Sequence, residues 1–169
     1  MNKGFTLIEA LVVALIILTM TALILPNFRL GERQFALQRS AGKLAQDLRR
    51  AQGLAMSAAA FSCPGSQKLK GYGILFESAD PNNTFYKLVA KCADGTDTAV
   101  EKERIPLEKK IRIKELRKDD SVVPSLSVFF YPPDPQTDLE GAIGVTVVLA
   151  SSEGETAVRI NKTGLINVE

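Results

Sequence analysis

The chain predicts an α+β fold: a long amino-terminal α-helix, membrane-spanning in its first half and amphipathic in its second, packed on an antiparallel β-sheet domain. Three observations predict it. From Phe5 to Leu25 the only polar residues are Thr6, Glu9, Thr19 and Thr21, and as a helix this run spans about 31 Å, close to the hydrocarbon thickness of a bilayer. From Leu37 to Ala58 apolar residues recur at intervals of three and four, the period of a helix with one buried face. From residue 70 onward short runs rich in β-branched and aromatic residues alternate with turn signals.

The first run holds one carboxylate, Glu9. An acidic residue at the centre of a membrane helix costs about 3 kcal/mol and less toward its end, so its presence asks for a partner. An ordinary secretory signal explains it poorly, because the apolar run is too long, Glu9 breaks it early and no good small-residue cleavage site follows. A plain membrane anchor leaves Glu9 without a role. A cut between Gly4 and Phe5, ahead of the apolar run, creates a cationic amine on Phe5 at the positive end of the helix, one turn from Glu9. In a bundle of parallel, axially stepped helices, Glu9 of one subunit can then meet Phe5 of its neighbour. Such a pair sets register, since losing one partner strands a buried charge at about 3–5 kcal/mol.

Pro26 is the first helix breaker, a place where the helix kinks or closes, and Gly31 is a second soft point. The helix resumes with the stripe Leu37, Ala41, Leu44, Leu48, Ala51, Ala55 and Ala58, while Arg33, Arg39, Lys43, Asp47, Arg49 and Arg50 lie mostly off it. Helix signals fade by Phe61, and Ser62-Cys63-Pro64-Gly65 reads as the stop. Predicted strands are Tyr72 to Glu77, Phe85 to Cys92, Ala99 to Ile105, Lys110 to Leu116, Leu126 to Tyr131, Gly144 to Ala150, Ala157 to Asn161 and Leu165 to Val168. Turns fall at Asp80-Pro81-Asn82-Asn83, Asp94-Gly95, Glu153-Gly154 and Asn161-Lys162-Thr163-Gly164, the last closing a terminal hairpin. Pro132 to Gly141 is too proline-rich for a strand and predicts an exposed loop.

The leader Lys3-Gly4-Phe5-Thr6-Leu7-Ile8-Glu9 resembles the class III signal of type IV pilins and type II secretion pseudopilins. The resemblance implies cleavage after Gly4 by a prepilin peptidase, N-methylation of Phe5, and assembly into a filament through Glu9. It also implies a proline-centred yielding point near Pro26. Within that group, Leu44-Ala45-Gln46-Asp47-Leu48-Arg49-Arg50-Ala51-Gln52, the all-strand body and Arg159-Ile160-Asn161-Lys162-Thr163-Gly164-Leu165-Ile166 resemble minor pseudopilins of the GspH and FimT type. These place two sheets against one long helix, at or near a filament tip. The implied organisation is a leader at 1–4, a transmembrane and filament-core helix at 5–29, an amphipathic helix at 30–61 and a β domain at 62–169. The implied location is the bacterial inner membrane, single-pass, with the carboxy-terminal domain extracytoplasmic, and a filament after assembly. The implied partners are other pilin or pseudopilin subunits, the prepilin peptidase, an inner-membrane assembly platform and inner-membrane lipid. The arginine-bearing carboxy-terminal segment that some FimT relatives use for DNA uptake is not matched, because Leu165, Ile166 and Asn167 follow Gly164. DNA is therefore a disfavoured partner.

Composition narrows the chemistry. The 169 residues carry a formal charge of only +2, which points to neither nucleic acid nor acidic substrates. There is no histidine, so the usual general base and the commonest metal ligand are missing. No glycine-rich phosphate loop follows a strand, and no catalytic residues, cofactor or metal site are expected. Asp94-Gly95-Thr96-Asp97 is at most half of an oxygen-lined calcium loop and reads first as a solvated turn. Cys63 and Cys92 flank the first predicted hairpin. In an oxidising compartment they can close a loop of about 29 residues, the alternative being two unrelated buried thiols. The functional expectation is a non-catalytic structural subunit, a minor pilin or pseudopilin. The alternative is a tip-located binding module for DNA uptake or for a secreted substrate.

Overall fold

A computed structural model describes residues 6–65, 67–93, 97–132, 136–152 and 154–169, with the side chains of 24–33 and 97 outside the description. Helix α1 (Leu7–Met56) is followed by β1 (Lys68–Glu77), β2 (Phe85–Ala93), β3 (Asp97–Pro106), β4 (Arg112–Lys118), β5 (Ser121–Val123), β6 (Ser125–Tyr131), β7 (Gln136–Asp138), β8 (Gly144–Ala150), β9 (Glu155–Asn161) and β10 (Ile166–Val168). Side chains of α1 are described in two stretches, 7–23 and 34–56.

Among the described residues no helix is long and apolar enough to cross a membrane. The expectation that 5–29 is a transmembrane helix, and with it the single-pass inner-membrane location, is corrected. The described stretch 7–23 carries the carboxylate of Glu9 and the hydroxyls of Thr19 and Thr21 among its apolar residues.

The second stretch buries its predicted stripe: Leu37, Ala41, Leu44, Leu48, Ala51 and Ala55 are each at most 5% exposed. Ala58 is the exception. The periodicity predicts helix to Phe61, but α1 ends at Met56, with the Ala59 amide donating to the Leu54 carbonyl at 3.1 Å and the Ala58 amide to the Ala55 carbonyl at 3.0 Å. These two bonds form a Schellman closure. Ala58 occupies its left-handed position at φ 45°, where glycine is usual, so the glycine signal that marks a helix end was missing from the sequence.

The strands form two antiparallel five-stranded sheets, ordered β3-β2-β1-β6-β7 and β10-β9-β8-β4-β5. Consecutive hairpins build β1-β2-β3 and β8-β9-β10, whereas β4 and β5 join the second sheet before β6 returns to pair with β1. Helix α1 touches β1 and β6 of one sheet and β8, β9 and β10 of the other. The buried faces alternate as a half-buried strand requires: Tyr72, Ile74 and Phe76 on β1 meet Tyr86, Leu88 and Ala90 on β2, and Val145, Val147 and Leu149 line β8.

Two strands escaped the sequence reading. β5 is three residues long, and β7 lies inside the stretch 132–141 that its prolines marked as an exposed loop. Gln136-Thr137-Asp138 contains no proline and pairs with Phe129, Phe130 and Tyr131 at a sheet edge, burying Thr137. Residues 133–135 of that stretch lie outside the described residues, as does Glu153 of the predicted Glu153-Gly154 turn.

On the outer face of the first sheet, aromatic rings lie over glycines. A Cβ on Gly73 would stand 2.4 Å from the Val128 carbonyl oxygen and 2.5 Å from the Phe129 ring, and one on Gly71 would stand 2.2 Å from the Phe130 carbonyl oxygen. The Phe129 and Tyr131 rings stack with centroids 6.4 Å apart, and the Lys91 ammonium lies 4.8 Å from the Phe129 centroid.

Two stability predictions follow from this geometry. Ala58→Gly should raise the unfolding free energy by about 1 kcal/mol, because glycine relieves the left-handed backbone; a urea titration showing no gain refutes the closure. Gly73→Ala should lower it by about 2 kcal/mol, because the clash is with backbone as well as a ring; an unchanged midpoint would contradict the close approach.

Candidate functional site

The first stretch of α1 is the most unusual surface of the molecule. Every residue from Thr6 to Leu23 is exposed. The exposed side chains include Leu7 at 83%, Ile8 at 71%, Leu18 at 67% and Leu23 at 78%. They point in all directions around the helix rather than along one stripe, because consecutive residues such as Leu15, Ile16, Ile17 and Leu18 are all uncovered. A helix that is apolar all round belongs in an apolar interior, and no described part of this chain covers it.

Two of its hydroxyls are turned inward on its own backbone. The Thr19 hydroxyl donates to the Ile16 carbonyl at 2.9 Å and the Thr21 hydroxyl to the Ile17 carbonyl at 2.7 Å. These bonds leave the surface without competing hydroxyl donors. Thr6 is the N-cap, at φ −82° and ψ 148°, and its hydroxyl oxygen accepts from the Glu9 amide at 3.4 Å. Thr6-Leu7-Ile8-Glu9 thus has the sequence of a capping box, with the half in which the Thr6 hydroxyl accepts from the Glu9 amide formed. Glu9 itself is exposed, one turn into the helix, where an acidic side chain is favoured by the helix dipole.

The remaining predicted residues fall as follows. Gly4 and Phe5 lie outside the described residues. Pro26 lies within the span of α1, but its side chain is among those of 24–33 outside the description. Residues 94–96 of the half calcium loop, and the side chain of Asp97, are likewise outside it. Among the described residues no group of three or more His, Cys, Asp or Glu side chains is placed to hold a metal. Cys63 and Cys92 form a disulfide with Cα atoms 5.9 Å apart, tying the segment after α1 to β2. Closing 29 residues of chain separation contributes about 3 kcal/mol by restricting the unfolded state.

The two looser motifs meet in space. Arg49 donates to the Ile166 carbonyl at 3.4 Å. Gly164, at φ 79°, leaves only 3.0 Å between its notional Cβ and the Gln52 side-chain amide. Helix residues 44–52 and the terminal hairpin are therefore one contact, held by a glycine that no side chain can replace without strain.

A polar link that the spacing did not reveal also fastens α1 to the first sheet. The Tyr86 hydroxyl, on a side chain 1% exposed, donates to Asp47 Oδ2 at 2.5 Å. Arg50 pairs with Glu103 and Arg39 with Glu108, each at 2.9 Å. Burial first, then the hydrogen bond and charge of Asp47, raise Tyr86 well above the ordinary phenol range. Comparison with protein families, with curated proteins and with solved structures finds no match for this chain.

The Tyr86 shift has a definite sign. The folded chain holds the phenol proton more tightly than the unfolded chain, so the stabilisation is complete below about pH 10 and is lost as pH rises above it. Urea midpoints measured from pH 8 to 11 should fall more steeply for the wild type than for Tyr86→Phe; parallel curves would dismiss the linkage.

Proposed function

We propose that this chain is a non-catalytic structural subunit of a helical filament, a minor pilin or pseudopilin. In this reading a prepilin peptidase cuts after Gly4, Phe5 is methylated, and the exposed stretch 7–23 packs against the same stretch of neighbouring subunits. The observation that carries the reading is the all-round exposure of that stretch, from Leu7 to Leu23. Each Leu, Ile or Val moved out of water contributes about 1.5–3 kcal/mol, so burial of even half of these side chains amounts to on the order of 10 kcal/mol per subunit. A parallel bundle of such helices buries every direction at once, which a single groove on a partner cannot do.

Glu9 is the only charged side chain described in 7–23. Within a bundle it needs a cation, and the amine that cleavage would free on Phe5, four residues earlier in the sequence, is of the right sign. The tip-located binding alternative has less support. Arg39, Arg50 and Arg159, which face solvent, are each paired with a glutamate of the same chain, and this weakens a surface for nucleic acid.

The expected outcome for Glu9→Ala is a processed, folded subunit that fails to enter filaments, read by the ratio of subunit in sheared filaments to subunit in cells. Normal incorporation would refute the register role. Gly4→Glu should leave the intact precursor mass, and a mass shortened by four residues would remove the leader from the proposal.

A further inference from the structure

We propose that β3 is a pairing edge for a second copy of this chain, joining two molecules antiparallel through Val100–Ile105. Among the described residues three of the four sheet edges are strands of three residues, whereas β3 has ten and its strand pairing is with β2. Its exposed residues include Glu101, Lys102, Glu103 and Arg104 in succession. Charges on an edge strand ordinarily guard it against pairing. Here their order does the opposite: run antiparallel to itself, the strand places Glu101 of one copy opposite Arg104 of the other, Lys102 opposite Glu103 and Val100 opposite Ile105. A two-fold axis presents each of these pairs twice.

In a regular strand that register would fail, because residues separated by an odd number of positions lie on opposite faces of the sheet. The β-bulge in β3 removes the obstacle. Leu88 is opposite Glu103 and the next residue, Val89, is opposite Glu101, so Lys102 is the extra residue. The Lys102 ammonium lies 4.9 Å from the Tyr72 ring centroid and 6.0 Å from that of Phe61, and Glu103 pairs with Arg50 of α1, so both side chains lie on the helix side of the sheet. Glu101 and Arg104 share the other face, 3.5 Å apart, with Arg104 4.5 Å from the Phe85 centroid. Every residue is therefore matched with an opposite residue on its own face. The Arg50–Glu103 and Arg104–Glu101 pairs are at least two-fifths exposed and screened by water, and the Lys87–Glu101 contact, with Lys87 22% exposed, is long at 4.0 Å, so these charges yield to a partner across the new edge.

Because the strands run antiparallel about an axis normal to the sheet, this contact also points the two α1 helices in opposed directions. It is distinct from a parallel bundle of 7–23 and does not depend on it. The test uses the full chain in a mild non-ionic detergent, with sedimentation equilibrium as readout. Lys102→Glu should weaken dimerisation by about tenfold or more, since two attractive cross-strand contacts become repulsive. The combined Lys102→Glu and Glu103→Lys swap should restore it, and Glu9→Ala should leave it unchanged. As a check independent of folding losses, mixing Lys102→Cys with Glu103→Cys should give a cross-linked dimer in preference to either variant alone. A monomeric wild type, a natively melting swap that does not recover, or cross-linking no greater in the mixture would each overturn the proposal.

Discussion

The contact on which the remaining structure rests is the one between the stripe of α1 and the two sheets laid on it. Leu37, Ala41, Leu44, Leu48, Ala51 and Ala55 form a ridge whose members are almost wholly removed from water. Alanine at half of these positions lets strands approach the helix backbone closely, while the leucines fill the space between. Among the described residues the two sheets share no strand pairing, so the ridge, with the apolar faces of the strands, is what holds them in one core. The polar fastenings sit at its rim: Tyr86 on Asp47, Arg50 on Glu103 and Arg49 on the Ile166 carbonyl. They orient a contact whose energy comes mainly from burial.

The same helix carries two surfaces with opposite fates. In 34–56 the stripe from Leu37 to Ala55 keeps to one face and is covered by the chain itself, with Phe35 and Met56 left exposed at its ends; in 7–23 apolar residues occupy every face and are covered by nothing described. This contrast separates a stretch covered by its own fold from one that the described residues leave bare. One face of a helix can be satisfied by a sheet, but a helix apolar all round needs neighbours on all sides, and the described residues of its own chain supply none. The Thr6 cap and the back-bonded hydroxyls of Thr19 and Thr21 satisfy one backbone amide and two hydroxyl donors of this segment without water.

Legibility differed from element to element for definite reasons. The stripe could be read because helix periodicity is local, and six of its seven residues are buried where they were expected. Ala58 could not, since nothing in an alanine announces a left-handed closure. Most long strands lay within two or three residues of their predicted bounds, β1 starting four residues early, but β7 was hidden by the prolines around it and β5 by its length. The correction to the membrane reading has another origin: the run was judged by composition alone, and among the described residues no helix is both long and apolar enough to cross a membrane. The partnership of Cys63 with Cys92 stood open in the sequence, because spacing bounds a loop without saying whether its ends meet.

The amino-acid sequence by itself determined the apolar run with its single carboxylate, the buried stripe, the alternating strands and the turn at Asn161–Gly164, because each depends on sterics and polarity within a few residues. Only the tertiary structure decided that β4 and β5 cross to the second sheet, that Gly164 lies under Gln52, that Tyr86 reaches Asp47, and that a single extra residue puts Lys102 and Glu103 on one face of β3. Those outcomes depend on which faces far apart in the chain fit together, and complementarity between distant surfaces leaves no periodic trace in either of them.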